Sequence, residues 1–251
     1  MKVISVVNHK GGVGKTTSVA NIGAYFASKG YKTLLVDIDS QCNLTQHFGF
    51  YSPAKSIYNA FIDKDNGKLP VMQINDKLFL VPSSREFEKM NIELVGRLAW
   101  EQVLKGLLSQ LDSLFDYCLI DCPPSLGLIT QNALIASRYA VIPVEAEFFS
   151  FQGIQSIVGA LSEVKRVGHN LDIAGVFMTK YDKRKVISKT IQGNVEGFFD
   201  KILIDTPVRD NISLSEAQAD GKDIFSYAPS SFGAKDYAKI SDELLKRLNH
   251  D

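Results

Sequence analysis

Residues 8–17 read Asn8-His9-Lys10-Gly11-Gly12-Val13-Gly14-Lys15-Thr16-Thr17, a glycine-rich run carrying two lysines and two adjacent hydroxyls. Glycines reach backbone conformations closed to other residues, so successive N–H groups can converge on one anion. Against the pattern G-x-x-x-x-G-K-[ST], His9 stands where the first glycine belongs, and Lys10-Gly11-Gly12 compensates beside it. Lys15 is placed for the β- and γ-phosphates of a nucleotide, and the Thr16 hydroxyl for Mg²⁺. The opening of a helix at Ser18-Val19-Ala20 adds partial positive charge. Lys10 is a second cation that this cradle does not need, because Lys15 already serves the phosphates.

Carboxylates complete a Mg²⁺–nucleotide site. Leu34-Leu35-Val36 runs into Asp37-Ile38-Asp39, and Leu119-Ile120 runs into Asp121-Cys122-Pro123-Pro124. Magnesium keeps several waters and takes few protein carboxylates, so one acid near the ion and one behind it suffice. A lone aspartate after a strand is commonly a turn or cap residue. Three of them beside a phosphate loop point to function for Asp39 and Asp121. Asp37 shares a face with Asp39 but sits deeper.

The elements that must position these residues are legible as apolar runs. Candidate strands are 3–7, 33–36, 78–82, 117–120, 140–144, 174–178 and 202–204. Their near-continuous apolar character suits a sheet covered on both faces. Candidate helices are 16–28, 86–95, 97–114, 126–137, 151–167, 185–198, 213–219 and 233–248. Within 97–114, Trp100, Val103, Leu104, Leu107, Leu111 and Leu114 recur at helical spacing and read as core. This alternation predicts an α/β fold: a doubly wound, mostly parallel sheet with helices on both faces and ligands at the carboxyl ends of its strands. The most linker-like stretch, 63–68, is a brief polar turn, so 1–251 is expected to form a single domain.

Composition bounds the partners. Lys plus Arg and Asp plus Glu both number 28, so a nucleic-acid or membrane partner must be read by a local patch. No charged n-region with an apolar h-region opens the sequence, and no apolar run approaches bilayer length. Cys42, Cys118 and Cys122 form no CxxC pair, so a reduced, cytosolic protein is expected.

Lys10 to Thr17, Val36-Asp37-Ile38-Asp39-Ser40-Gln41 and Ile120-Asp121-Cys122-Pro123-Pro124-Ser125 together resemble the three nucleotide motifs of the ParA/Soj partition ATPases. These are deviant Walker A members of the P-loop NTPases, within the ParA/MinD superfamily. Ile142-Pro143-Val144-Glu145-Ala146-Glu147, Leu214-Ser215-Glu216-Ala217, Tyr227-Ala228-Pro229, Gly233-Ala234 and Tyr237 extend the likeness over essentially the whole chain. The resemblance implies ATP and Mg²⁺ as cofactors. Lys10, Gly11, Gly12, Val13, Gly14, Lys15, Thr16 and Thr17 would contact ATP, and Thr16 and Asp121 the metal. Lys10, Lys15 and Asp39 would carry catalysis, Lys10 by crossing to the nucleotide of a second subunit. An ATP-dependent homodimer, nonspecific DNA binding, a ParB-like partner that stimulates slow hydrolysis, and a cytoplasmic, nucleoid-associated location follow from the same likeness.

Family members that bind DNA use basic residues in the C-terminal third. Lys180, Lys183, Arg184, Lys185 and Lys189 put five basic groups and one acid into ten residues here. Relatives carry a basic residue before Leu-Ser-Glu-Ala, where this chain has Ser213; Ser213-Leu214-Ser215-Glu216 reads as a capping box, and Arg209 upstream supplies the charge. The proline near the adenine is displaced in register, which makes Pro207 the candidate base contact. The alternative reading is a MinD-like membrane-associated ATPase, for which Leu244-Leu245-Lys246-Arg247-Leu248 would be the anchoring helix. A metal-cluster relative would need accessible cysteines, and Cys118 falls inside an apolar run.

Overall fold

The computed structural model describes residues 1–63, 67–146, 151–166 and 168–250, and the backbone alone at 151–155 and 189. The polar turn at 63–68 and the motif residue Glu147 therefore fall partly or wholly outside the described residues. Among those described, seven strands form one sheet: β1 (Lys2–Val6), β2 (Thr33–Asp37), β3 (Met72–Gln73), β4 (Leu78–Val81), β5 (Tyr117–Asp121), β6 (Tyr139–Glu145) and β7 (Asp172–Thr179). Their order is β3-β4-β2-β5-β1-β6-β7, and every pairing is parallel except the short edge pair β3–β4. The fold is the doubly wound α/β type expected of a P-loop ATPase.

Burial explains the composition of the strands. Every residue of β2, β5 and β6 is buried, so both pleat faces select apolar side chains. On one face, α1 (Lys15–Ser28) and the C-terminal helix pack Val19, Phe26, Tyr237 and Leu244 against Leu35, Leu119 and Phe177. On the other, Leu104, Ala133, Ile157, Leu161 and Val195 meet Val36, Ile120, Ile142 and Val176.

The remaining helices are α2 (Asn43–His47), α3 (Ile57–Ile62), α4 (Met90–Glu93), α5 (Val103–Ser109), α6 (Leu128–Ala136), α7 (Phe151–Arg166), α8 (Val186–Phe199), α9 (Ile212–Ala219), α10 (Ile224–Tyr227) and α11 (Phe232–Asn249). Four expectations need correction. The helix over 86–95 is a 3₁₀ turn, Arg85–Lys89, running into the single turn of α4. The helix over 97–114 shrinks to Trp100–Gln102 and α5, because Gly96 and Ala99 both take left-handed φ before it and separate turns close after Ser109. Its stripe is core at Leu104 and Leu107, while Leu114 is 51% exposed. No strand forms at 202–204: after a 3₁₀ turn the chain follows β7 only through isolated bridges, Leu203 on Val176 and Arg209 on Tyr181. Finally, Ser213 is not a cap. Helix α9 starts one residue earlier, and the Asn211 side chain accepts the Ser213 N–H at 2.9 Å.

Candidate nucleotide site

The register of the sheet gathers the site at one edge. Val6 pairs with Asp121, and Asp37 pairs with the same Asp121 across β2–β5, so the phosphate loop leaves β1 beside both acids. Gly12 (φ 74°) and Gly14 (φ 85°) take left-handed conformations, and Gly14 is the residue from which α1 departs. An L side chain in that region costs on the order of 1–2 kcal/mol, which explains why this loop must hold glycine. The loop is braced from both sides. Asn8 Nδ2 donates to Pro143 O at 2.8 Å while its Oδ1 accepts the Lys10 N–H at 3.1 Å. Thr179 Oγ1, at the end of β7, donates to Val13 O at 2.9 Å.

Lys15 is buried, and its Nζ donates to Lys10 O at 2.9 Å. Burial lowers its pKa, against the opposing pull of Asp121, Cys122 and Asp39. An arriving polyphosphate would favour the charged form further. Thr16 Oγ1 donates to Asp121 Oδ2 at 2.7 Å, so the two expected metal residues are already in contact. Asp121 is fully buried, and its Oδ1 has no hydrogen-bond partner among the described residues. Burial pushes its carboxyl well above the usual range, and the neighbouring Asp37 adds to this. A buried carboxylate oxygen left unpaired is costly. A divalent cation held between Asp121 and Thr16 would satisfy that oxygen and favour its ionised form, so the residues present fit Mg²⁺.

The two strand-end acids on β2 have different work. Asp37 accepts the Asp39 N–H at 3.0 Å, the Thr45 N–H at 2.9 Å and the Thr45 hydroxyl at 2.6 Å, so its lone pairs are consumed in shaping the turn. Burial still pushes its carboxyl up to about 6. Asp39 accepts the Gln41 N–H at 3.0 Å and stands one residue beyond Ile38, whose N–H bonds Asp121 O. It too is buried, at 8% exposure, against 0% for Asp37.

The sequence assigned no role to Glu145 or Asn8, though both fall in motif runs, and did not single out Thr45 or Thr179. Glu145 ends β6 as Asp121 ends β5, and an acid closing an apolar strand was the available signal. Its carboxylate receives Lys10 Nζ and, at 3.0 Å, Lys180 Nζ. Lys183, Arg184 and Lys185 are exposed on the turn that follows, with Arg184 paired to Asp182. Lys189 lies on α8, where its side chain is outside the described residues. Arg209 is drawn inward instead: it binds buried Asp236 through Nε at 2.9 Å and lies 3.9 Å above the Phe232 ring. Pro207 is half-buried beside the end of β7, where Val208 N–H bonds Met178 O.

Comparison with known proteins agrees with this architecture. A family model described as an AAA domain matches residues 1–174. The chromosome-partitioning ATPase Soj of Treponema pallidum is 37% identical over 252 residues, covering 98% of both chains. The sporulation initiation inhibitor protein Soj of Bacillus subtilis is 36% identical over 248 residues, covering 97% of this chain and 98% of its own. Among solved structures, cobyrinic acid a,c-diamide synthase from Mycobacterium smegmatis with bound ADP and magnesium superposes with a TM-score of 0.85 at 28% identity, covering 99% of this chain and 96% of that one. With its phosphate loop and strand-end acids in register, the chain belongs to the ParA/Soj family of ParA/MinD-type P-loop ATPases.

Proposed function

We propose that this chain is a DNA-segregation ATPase whose ATP-bound dimer grips DNA without regard to sequence and lets go on hydrolysis stimulated by a ParB-like partner. The relatives named for chromosome partitioning, alike over nearly the full length, support the class of activity. Residues 10–17 would hold ATP, with Pro207 against the base and Asp39 orienting the attacking water. Thr16 and Asp121 would hold Mg²⁺, which supplies charge neutralisation at the phosphates when bound.

One observation carries the link between nucleotide and DNA. Thr179 bonds the phosphate loop through Val13, and the basic turn 180–185 begins at the next residue. Lys183, Arg184 and Lys185 on that turn, with Lys189 behind them, are the proposed DNA contacts; Lys180 and Arg209 flank them at its inner rim. The MinD-like reading gains no support from α11, whose Leu244 and Leu248 are buried in the core.

The test is co-sedimentation of the full chain with duplex DNA, and separately with anionic liposomes, under Mg-ATP, Mg-ADP and no nucleotide. The proposal expects ATP-dependent pelleting with DNA alone. Pelleting with liposomes, or DNA binding indifferent to nucleotide, would overturn it.

A further inference from the structure

Glu145 is the one strand-end acid that meets two lysines among the described residues. Its side chain is only 10% exposed, yet Lys10 and Lys180 both reach it. Burial pulls its carboxyl upward, and the two ammonium groups overcome that pull and hold it below the usual range. Lys180 is unusual in a second way. It takes φ 51°, a region that costs a side-chain-bearing residue energy and persists only where the surroundings impose it. Its Nζ lies 4.0 Å from where a Cβ on Gly12 would stand, so the side chain folds back over the phosphate loop.

Resting on the sandwich-dimer reading, we infer that Lys180 is a positioning residue for ATP-driven dimerisation: it keeps Glu145 paired while Lys10 leaves for the nucleotide of the partner subunit. Lys10 cannot serve two anions at once. If Glu145 had Lys10 as its sole cation, moving that lysine would strand a nearly buried carboxylate, and dimerisation would bear the full desolvation penalty. With Lys180 already at 3.0 Å, the carboxylate exchanges two cations for one and stays neutralised. Sharing also loosens the hold on each lysine, which lowers the barrier to releasing Lys10. The left-handed backbone at Lys180 is the local strain that turns this half-exposed side chain over the phosphate loop toward Glu145.

The experiment measures the protein concentration at which Mg-ATP produces dimer, by light scattering on the full chain. Lys180→Met should raise that midpoint about tenfold, the order expected when a partly buried carboxylate loses its remaining cation. Lys180→Arg, which keeps the charge, should restore it. Glu145→Gln removes the group that needs pairing, so adding Lys180→Met to it should change nothing further, a strongly non-additive cycle. Additive effects, or a Lys180→Met chain that dimerises like the parent while losing only DNA affinity, would overturn the inference and leave the sandwich reading standing. A parent chain that binds ATP but never dimerises would overturn both.

Discussion

Unmet bonding capacity separates the acids proposed to work from the structural one at the scale of single residues. Asp37 is saturated by Thr45 and the Asp39 N–H, whereas among the described residues Asp121 keeps one buried oxygen unpaired and Asp39 accepts only the Gln41 N–H. The sequence ranked Asp39 and Asp121 above Asp37 only by depth; the bonds supply the reason. Lys15 is buried with its ammonium on a single carbonyl, poised to trade that contact for phosphate oxygens. Lys15→Ala should therefore abolish tight Mg-ATP binding in calorimetry while leaving the fold intact, and unchanged affinity would remove the assignment of the loop. The phosphate loop was legible because its glycines, lysine and threonines are contiguous. Glu145, legible only as part of a motif, had no assigned role and Thr179 escaped notice because their partners, Lys10 and Val13, lie 135 and 166 residues away, and no local pattern encodes such a meeting.

Element boundaries follow the same division between local and distant causes. Strands β2, β5 and β6 were readable from apolar runs because both faces are covered, but the 97–114 helix failed where left-handed residues and turn closures overrode a good apolar period. The candidate DNA-contacting cations divide into those paired with buried acids, Lys180 on Glu145 and Arg209 on Asp236, and exposed ones such as Arg184, a division that sequence cannot show. Arg209 braces α11 through buried Asp236, so Arg209→Ala should cost on the order of 1–3 kcal/mol in denaturant unfolding by leaving that carboxylate with only the residue-209 N–H. A variant unfolding like the parent would mean the pair contributes nothing. Arg184, exposed on the same rim, should behave oppositely. Arg184→Ala should leave stability and ATP affinity alone, weaken DNA binding, and reduce the log–log salt slope by roughly 0.9 for the lost phosphate contact. A flat salt response in the parent would count against the turn as a DNA surface. Helix α11 offers a third check: Leu244→Ala should cost about 2–5 kcal/mol because its apolar face is core. Parent-like stability there would reopen a membrane role for that helix.

At the scale of the whole molecule, the sheet edge presents one cation more than a single nucleotide can use. Lys15 sits inside the cradle of its own subunit, and Lys10 stands beside it with its ammonium on the Glu145 carboxylate. An ammonium stored this way is available to an anion that arrives from outside. The nucleotide of a second subunit meets that description, because the carboxyl edge of the sheet is where both copies would present their phosphates. Lys10→Ala should accordingly keep ATP binding near the parental affinity but lose the ATP-dependent dimer, and with it hydrolysis and cooperative DNA binding. Asp39→Ala acts on a different step. It leaves both lysines and the Thr16–Asp121 pair in place, so the dimer should form and then persist, with ATP turnover lost. Light scattering during ATP addition and after ATP depletion separates the two: no rise for Lys10→Ala, and a rise without decay for Asp39→Ala. If Lys10→Ala dimerises as readily as the parent, the second subunit does not need this lysine, and its pairing with Glu145 is an internal brace of the loop.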